Sequence, residues 1–355
     1  MGRSGGDRSA YAAIRQSCAS GLPPLALLQE VSRHIRQVVP YAAAGWQTTD
    51  PVTLLPTGGF AENVDPVTHL QLIDNELTAG DFVAFTGVAR SRAAVATLSQ
   101  ATGGDLARSA RHRTINAPAG WCDELRAVFR SGGAAWGQMC LARADGEPAF
   151  SAAEATFLST VARPLGDGLR SGLLLERACS AEPGDTNPGL IILQDDGTAA
   201  AVSDDARGWL AEMADEGLEF PSVVYEVARR ARLLADTDRP GPPARARVRL
   251  PSGRWFVLHG SRLRPTGTGR PSTAIMIEPA HRTDLAPLLI QAYELTPRER
   301  EITGMLVRGV PIADMATALW LSPHTVRDHV KAVFAKLGVR SRPELTAMLF
   351  YQHHT

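Results

Sequence analysis

The chain has 355 residues, 44% of them hydrophobic and 21% charged, and its 37 basic side chains balance 37 acidic ones. That length suits two or three domains with real apolar cores, and a formal charge of zero excludes a uniformly basic chain that coats nucleic acid by charge alone. No apolar run nears the roughly 20 residues of a membrane span, and Cys18, Cys122, Cys140 and Cys179 stand too far apart for a CxxC motif. Scattered thiols of this kind point to a reduced, cytosolic protein without a metal cluster; with no span present, a cytoplasmic protein with no membrane partner is expected, and no cofactor is expected.

Met1 to Asp7 lacks the apolar core of a signal peptide, and residues 1–20 are expected to be a disordered lead. A first domain is expected over 21–180. Leu25 to Ile35 has helical periodicity and ends before Pro40, followed by strand-like pieces at Ala43–Thr48 and Val52–Leu55 separated by Asp50-Pro51. A helix through Val67–Asn75 comes next, and later a strand over Trp136–Arg143 turned by Asp145-Gly146. Ser151 to Glu154 forms a capping box that opens a long helix through Phe157, Leu158, Val161 and Leu165. A helix, a mostly antiparallel sheet and a closing helix make an α+β domain.

Glu182 to Gly189 has a linker's composition. A second α+β domain is expected over 187–282. Its buried strand Leu190–Leu193 is closed by Asp195-Asp196-Gly197, with helices around Ala206–Met213 and Val223–Leu234. Arg239 to Pro243 is a loop, and strands Ala244–Leu250, Arg254–Leu263 and Ala274–Glu278 follow, the first two joined by Pro251-Ser252-Gly253. Residues 283–290 connect this domain to an all-α four-helix domain over 291–355.

That last domain is the most sharply written. Thr296 and Glu299 form a capping box for a helix containing Ile302, Met305 and Leu306, ended by Gly309. Pro311 to Leu319 is a short second helix, and only Trp320-Leu321 separates it from Ser322, which caps a third helix with Pro323 at its first position. So tight a joint makes a helix-turn-helix. On the third helix Val326, Val330, Val333, Phe334 and Leu337 share one face, while His324, Arg327, Asp328 and Lys331 share the other. From Ser322 to Arg342, five cations (Arg327, Lys331, Lys336, Arg340, Arg342) face Asp328 alone, a local charge of +4. Gly338 stops this helix, and Ser341 with Glu344 caps a fourth that carries Leu345, Met348 and Leu349.

The runs Leu-Thr-Pro-Arg-Glu-Arg-Glu-Ile, Ile-Ala-Asp-Met-Ala, Leu-Ser-Pro-His-Thr-Val-Arg-Asp-His-Val and Lys-Leu-Gly-Val-Arg-Ser-Arg resemble the LuxR-type DNA-binding domain, over about residues 291–353. The resemblance implies sequence-specific binding to double-stranded operator DNA. Its base-reading positions are those of Arg327, Asp328 and Lys331; Arg suits guanine, and Asp either accepts from cytosine or orients Arg327. Ser322, His324, Thr325, His329, Lys336 and Arg340 complete the expected interface, the last four placed or charged for phosphates. In that family the fourth helix pairs across a two-fold axis, which implies a homodimer through Leu345, Met348 and Leu349, with RNA polymerase as a further partner.

In the first domain Asp50-Pro51 with Leu54-Leu55, Asp123-Glu124-Leu125-Arg126, Trp136-Gly137, and Phe150-Ser151 with Glu154 resemble a GAF domain. Such domains bind an effector, sense redox state or dimerise. Trp46, Trp121, Trp136 and Tyr41 either line a pocket or pack the core, and Trp46 and Trp136 are the expected effector-pocket residues. The Arg108–Arg113 run is either a solvated loop or an anion receiver. The second domain resembles a PAS domain. His34, His69, His112 and His259 lack partners at ligand spacing, and no P-loop, HExxH or nucleophile elbow is present, so no catalytic residue is expected.

The reading that joins these parts is a one-component bacterial transcriptional regulator with an unknown small-molecule effector. One rival is a sigma-factor-like promoter-recognition subunit, which needs an additional helical domain upstream. The other is a phosphorelay response regulator with Asp195-Asp196 as its acidic pair. It needs a parallel sheet, a further Asp and a Lys, and the lysines lie only at 331 and 336.

Overall fold

The computed structural model describes residues 5–78, 80–177, 187–213, 218–237, 241–250, 252–264 and 270–350. The chain forms two compact units, one running to Pro279 and one starting at Ala280. Residues 182–186 of the expected linker, Arg239-Pro240 and Pro251 lie outside the described residues.

The first unit opens with helices α1 (Gly5–Ala19) and α2 (Pro24–Arg36). Then come β1 (Ala43–Thr49), β2 (Pro56–Glu62), α3 (Pro66–Thr78), α4 (Phe85–Arg90), β3 (Val95–Thr97) and α5 (Leu98–Thr102). Strands β4 (Trp121–Ser131) and β5 (Ala134–Ala144) and the long helix α6 (Ala152–Arg177) complete this part. Its sheet has the order β2-β1-β5-β4-β3, with β1 antiparallel to both β2 and β5. The Ser151 capping box is present: Glu154 N–H donates to Ser151 Oγ at 3.2 Å, and Ser151 N–H to a Glu154 carboxylate oxygen at 2.7 Å.

Two expectations fail here. Residues 5–19 are not a disordered lead but a helix that buries Ala10 and Ile14. Glycines on α6 make room for this layer: a Cβ on Gly168 would sit 3.1 Å from Cys18 Cα, and one on Gly172 would sit 2.5 Å from the Leu22 carbonyl oxygen. Val52–Leu55 is a turn rather than a strand. Asp50 Oδ1 accepts from Val52 N–H at 2.8 Å, Leu54 takes a left-handed φ of 59°, and the strand starts only at Pro56. Asn/Asp-type turn chemistry outweighs the strand preference of Val, Thr and Leu there.

The second sheet comprises β6 (Gly189–Gln194), β7 (Ala199–Val202), β8 (Arg245–Arg249), β9 (Trp255–Leu263) and β10 (Ser272–Pro279), with α7 (Asp204–Glu212) and α8 (Ser222–Asp236) between β7 and β8. Its order β7-β6-β10-β9-β8 repeats the connectivity of the first sheet, and every neighbouring pair is antiparallel. That excludes the parallel sheet of a receiver. Asp195 instead pairs with Arg262 at 2.8 Å, and Asp196 accepts from Thr198 N–H at 3.0 Å to close a turn. The core sets Ile191, Leu193, Phe256, Leu258, Ile275 and Ile277 against Trp209, Val224 and Val227. Leu55 and Ile73 of the first layer belong to the same cluster, and the buried ion pair of Asp50 with Arg247 joins the two layers.

The second unit is helical: α9 (Arg282–Ala292), α10 (Pro297–Val307), α11 (Ile312–Leu319), α12 (Pro323–Leu337) and α13 (Arg342–Phe350). Its core comprises Ile302, Leu306, Met315, Leu319, Val326, Val330, Val333, Leu337, Leu345 and Leu349 together with Ala286 of the connecting helix.

Candidate nucleic-acid interface

The local chemistry that builds the interface lies in the α11–α12 joint. Trp320 takes φ 56° and ψ 42°, and its N–H closes onto carbonyls of the last α11 turn. Ser322 Oγ then accepts from Thr325 N–H at 3.0 Å, so an otherwise unmatched donor of α12 is satisfied. Ala316 and Met315 of α11 and Val326 and Val330 of α12 are buried, so the two helices pack through these faces. The opposite face of α12 is left to solvent.

On that face His324, Arg327, Asp328 and Lys331 are exposed, and Thr325 and His329 are half-buried beside them. His324 Nδ1 lies 3.1 Å from Asp328 Oδ2, and Lys331 Nζ lies 4.0 Å from Asp328 Oδ1. Asp328 therefore braces its two neighbours and does not orient Arg327. Among the described residues nothing holds the Arg327 guanidinium. Its five donors in a fixed fork remain available to a planar acceptor pair.

Lys336 is placed differently from expectation. Its Nζ binds Glu299 Oε2 at 2.6 Å, tying the last turn of α12 to the first turn of α10. Burial pushes the Glu299 carboxyl up, but Lys336 and the Thr296 N–H, 2.7 Å from Oε2, hold it below its ordinary value. Arg342 is likewise engaged: its Nε donates to the Leu306 carbonyl at 2.7 Å, capping α10. Arg340 keeps an exposed side chain, while its N–H donates to Glu344. Of the expected phosphate contacts, Thr325, His329 and Arg340 stay on the surface and Lys336 serves the fold.

Leu345 and Leu349 are fully buried in their own unit, and Met348 is partly buried against the same core. The two leucines form no outward dimer face. A helical module this small needs them inside.

In the first unit, Trp46 is fully buried and stacks on Phe60 with ring centroids 6.2 Å apart, and Trp136 is buried with Nε1 donating to the Ser131 carbonyl at 3.0 Å. Neither lines the cavity between the first sheet, α3 and α8, whereas Trp121 does. Arg111 of the basic run is fully buried rather than solvated, and its Nε meets Glu124 at 2.9 Å. Glu124 also takes Arg126 and the Asn116 amide, and Arg126 in turn reaches Glu76. Full burial would raise the Glu124 carboxyl, but the two guanidinium groups outweigh it and hold the group far below the carboxylate range.

Residues 293–349 match the model of the bacterial regulatory proteins of the luxR family. The spore germination protein GerE of Bacillus subtilis is 38% identical over 55 residues, which are 16% of this chain and 74% of GerE. The chain belongs to the luxR family. Another relative, the probable HTH-type transcriptional regulator GfsR of Streptomyces halstedii, is 29% identical over 181 residues, 50% of this chain and 68% of GfsR. HTH-type transcriptional regulators of mycobacteria, one of them from Mycobacterium bovis, are 43% identical over 51 residues, and this luxR-family chain spans only 6% of their length. Among solved structures, the GAF domain of an Acinetobacter phosphoenolpyruvate-protein phosphotransferase is 13% identical at a TM-score of 0.34, covering 49% of this chain and 99% of that one. The VqmA–ligand–DNA complex of Vibrio cholera is 14% identical at a TM-score of 0.23, covering 50% and 87%.

Proposed function

We propose that this luxR-family chain is a one-component transcriptional regulator: α12 enters the major groove of double-stranded operator DNA, and an effector or partner at the GAF-like and PAS-like first unit modulates that binding. The observation that carries the reading is the exposed polar face of α12, with Arg327 unengaged behind the three-residue joint Trp320–Ser322. From His324 to Lys331 that face spans roughly 10 Å at 1.5 Å per residue, which suits a groove about 12 Å wide. Arg327 then reads guanine, and Lys331 and Asp328 read adjacent base edges. Ser322, Thr325, His329 and Arg340 line the phosphates. Two copies on inverted half-sites about one helical turn apart follow from the symmetry such operators have. Among the described residues no helix is long and apolar enough to cross a membrane, and the regulator is assigned to the cytoplasm, where RNA polymerase is its partner at a promoter.

Selection of bound duplexes from a random pool, followed by titration of the recovered sequence, tests this. Arg327→Ala is expected to cost about 1–3 kcal/mol on that sequence and to relax preference at one base pair. Unchanged affinity and unchanged preference would remove α12 as the recognition helix.

A further inference from the structure

The first unit holds a cavity of about 120 Å³ between its first sheet, α3 and α8. Its floor exists because small side chains fall in register. Ala61, Gly45 and Cys140 lie side by side across β2, β1 and β5, and Ala43 and Ala142 pair on the adjacent row. A Cβ built on Gly45 meets nothing within 4 Å. Leu72, Leu77, Phe85 and Trp121 supply apolar walls. The ionisable side chains around this space differ in what holds them. Arg126 is met by Glu124 and Glu76, and the Phe85 ring centroid lies 4.4 Å from its guanidinium carbon. Glu226 accepts from the Gln47 amide, and both it and His69 make further contacts. Arg230, one turn after Glu226 on α8, lines the same cavity and is half-buried. Among the described residues no acceptor or carboxylate comes within bonding distance of its guanidinium. Burial pushes its pKa below the ordinary value, and the through-space attraction of Glu226 does not make up the difference. Arg230 is thus the cation at this cavity that the fold supplies with no counter-ion in contact.

We infer that the cavity is a site for a small monocarboxylic acid with a single apolar ring: the ring fills the space over Gly45, and the carboxylate lies on the Arg230 guanidinium. Size follows from volume, since an apolar cavity of about 150 Å³ takes benzene, so one ring is the limit here. The head group follows from Arg230, because a planar guanidinium takes a carboxylate through two parallel hydrogen bonds, whereas a cationic ligand would set two like charges side by side, partly out of water. A neutral ring still fills the space but leaves Arg230 as it was, so it binds more weakly. Arg230 belongs to α8 and the floor to β1, β2 and β5, so an occupied site ties the first layer to the second. The inference rests on the effector part of the proposed function and names the chemistry of its ligand.

Benzoate, benzamide and acetate form a matched set of probes for calorimetric titration of the full-length chain at neutral pH. Benzoate is expected to bind at one site, its neutral isostere benzamide about tenfold more weakly, and acetate, which lacks the ring, not at all. Arg230→Gln removes the charge and should weaken benzoate about tenfold while leaving benzamide unchanged. Gly45→Val fills the floor and should abolish binding of both rings. If that variant fails to melt cooperatively, Arg230→Gln alone decides. The inference is overturned if benzoate does not bind at millimolar concentration, if benzamide binds as tightly as benzoate, or if Arg230→Gln or a folded Gly45→Val binds benzoate like the parent. Titration of the selected operator duplex on the same samples separates the two readings. A chain that binds DNA yet takes no benzoate loses this inference and keeps its recognition helix, whereas one that takes benzoate with unchanged operator affinity keeps the site and loses the effector part of the proposed function.

Discussion

Arg327 and Lys336 stand on one helix, carry the same charge, and have opposite employment. Arg327 is exposed with no acceptor among the described residues, whereas Lys336 is pinned to Glu299. Lys336→Met is therefore expected to lower the stability of the helical unit by about 1 kcal/mol, since its partner is buried but the ammonium is partly solvated. The salt dependence of DNA binding should stay as it was; a slope smaller by nearly one unit would restore Lys336 to the phosphates. A deeper ion pair gives a larger effect. Arg126→Met leaves Glu124 buried with only Arg111 for a counter-charge, and a loss of about 3–5 kcal/mol is expected in urea unfolding. The sign with pH is fixed by the depressed Glu124 carboxyl: its stabilisation is complete above the ordinary value of 4.5 and is lost as pH falls below it. The gap between parent and variant should therefore narrow on acidification. The exposure of a side chain such as Arg327, which depends only on the face of one helix, was legible in the sequence. Lys336, Arg111 and Glu124 were not, because their partners are 37 and 13 residues away and only the fold brings them together.

At the scale of elements, what is written locally was readable and what depends on distant packing was not. Thr296 with Glu299, Ser322 and Ser151 with Glu154 all cap the helices their spacing announces, because a cap is completed within four residues. Helix α1 carries no comparable signal and is held in place by close approach to glycines on α6. The α13 leucines illustrate the same limit, since an apolar triplet does not say whether it faces its own core or a second copy. Leu349→Glu is now expected to abolish the thermal transition of the helical unit, not merely to dissociate a dimer. Finding a folded monomer would reinstate the dimer face. The turn before α12 offers a test in the opposite direction. Trp320 is 94% exposed, so its ring contributes little packing, while its left-handed backbone strains a residue with a Cβ. Trp320→Gly removes a penalty of about 1–2 kcal/mol, of which greater unfolded-state freedom returns part. A modest rise in Tm with unchanged operator affinity is expected; a lower Tm would mean that the ring has a partner.

Across the whole molecule, the two sheets of the first unit share the Asp50–Arg247 pair and a core that mixes Leu55 and Ile73 with the second sheet, so they behave as one body. Their identical strand order was not legible, because short strands such as Ala199–Val202 carry too little pattern to be seen, and without it the connectivity cannot be written. The helical unit, by contrast, closes its own core. That division of cores sets what regulation can achieve. On the proposed reading, an effector in the first unit would shift DNA affinity only by its differential affinity for two arrangements of the chain, typically about 1–3 kcal/mol, and operator DNA would alter effector affinity by the same factor. A fragment of residues 280–355 keeps the core and recognition face intact and loses the body that holds the cavity. It is expected to select the same half-site sequence as the full chain and to show no change in affinity when a cavity ligand is added. If the fragment selected a different sequence, base recognition would draw on the first unit; if it responded to the ligand as the full chain does, the sensor would lie within the helical unit itself.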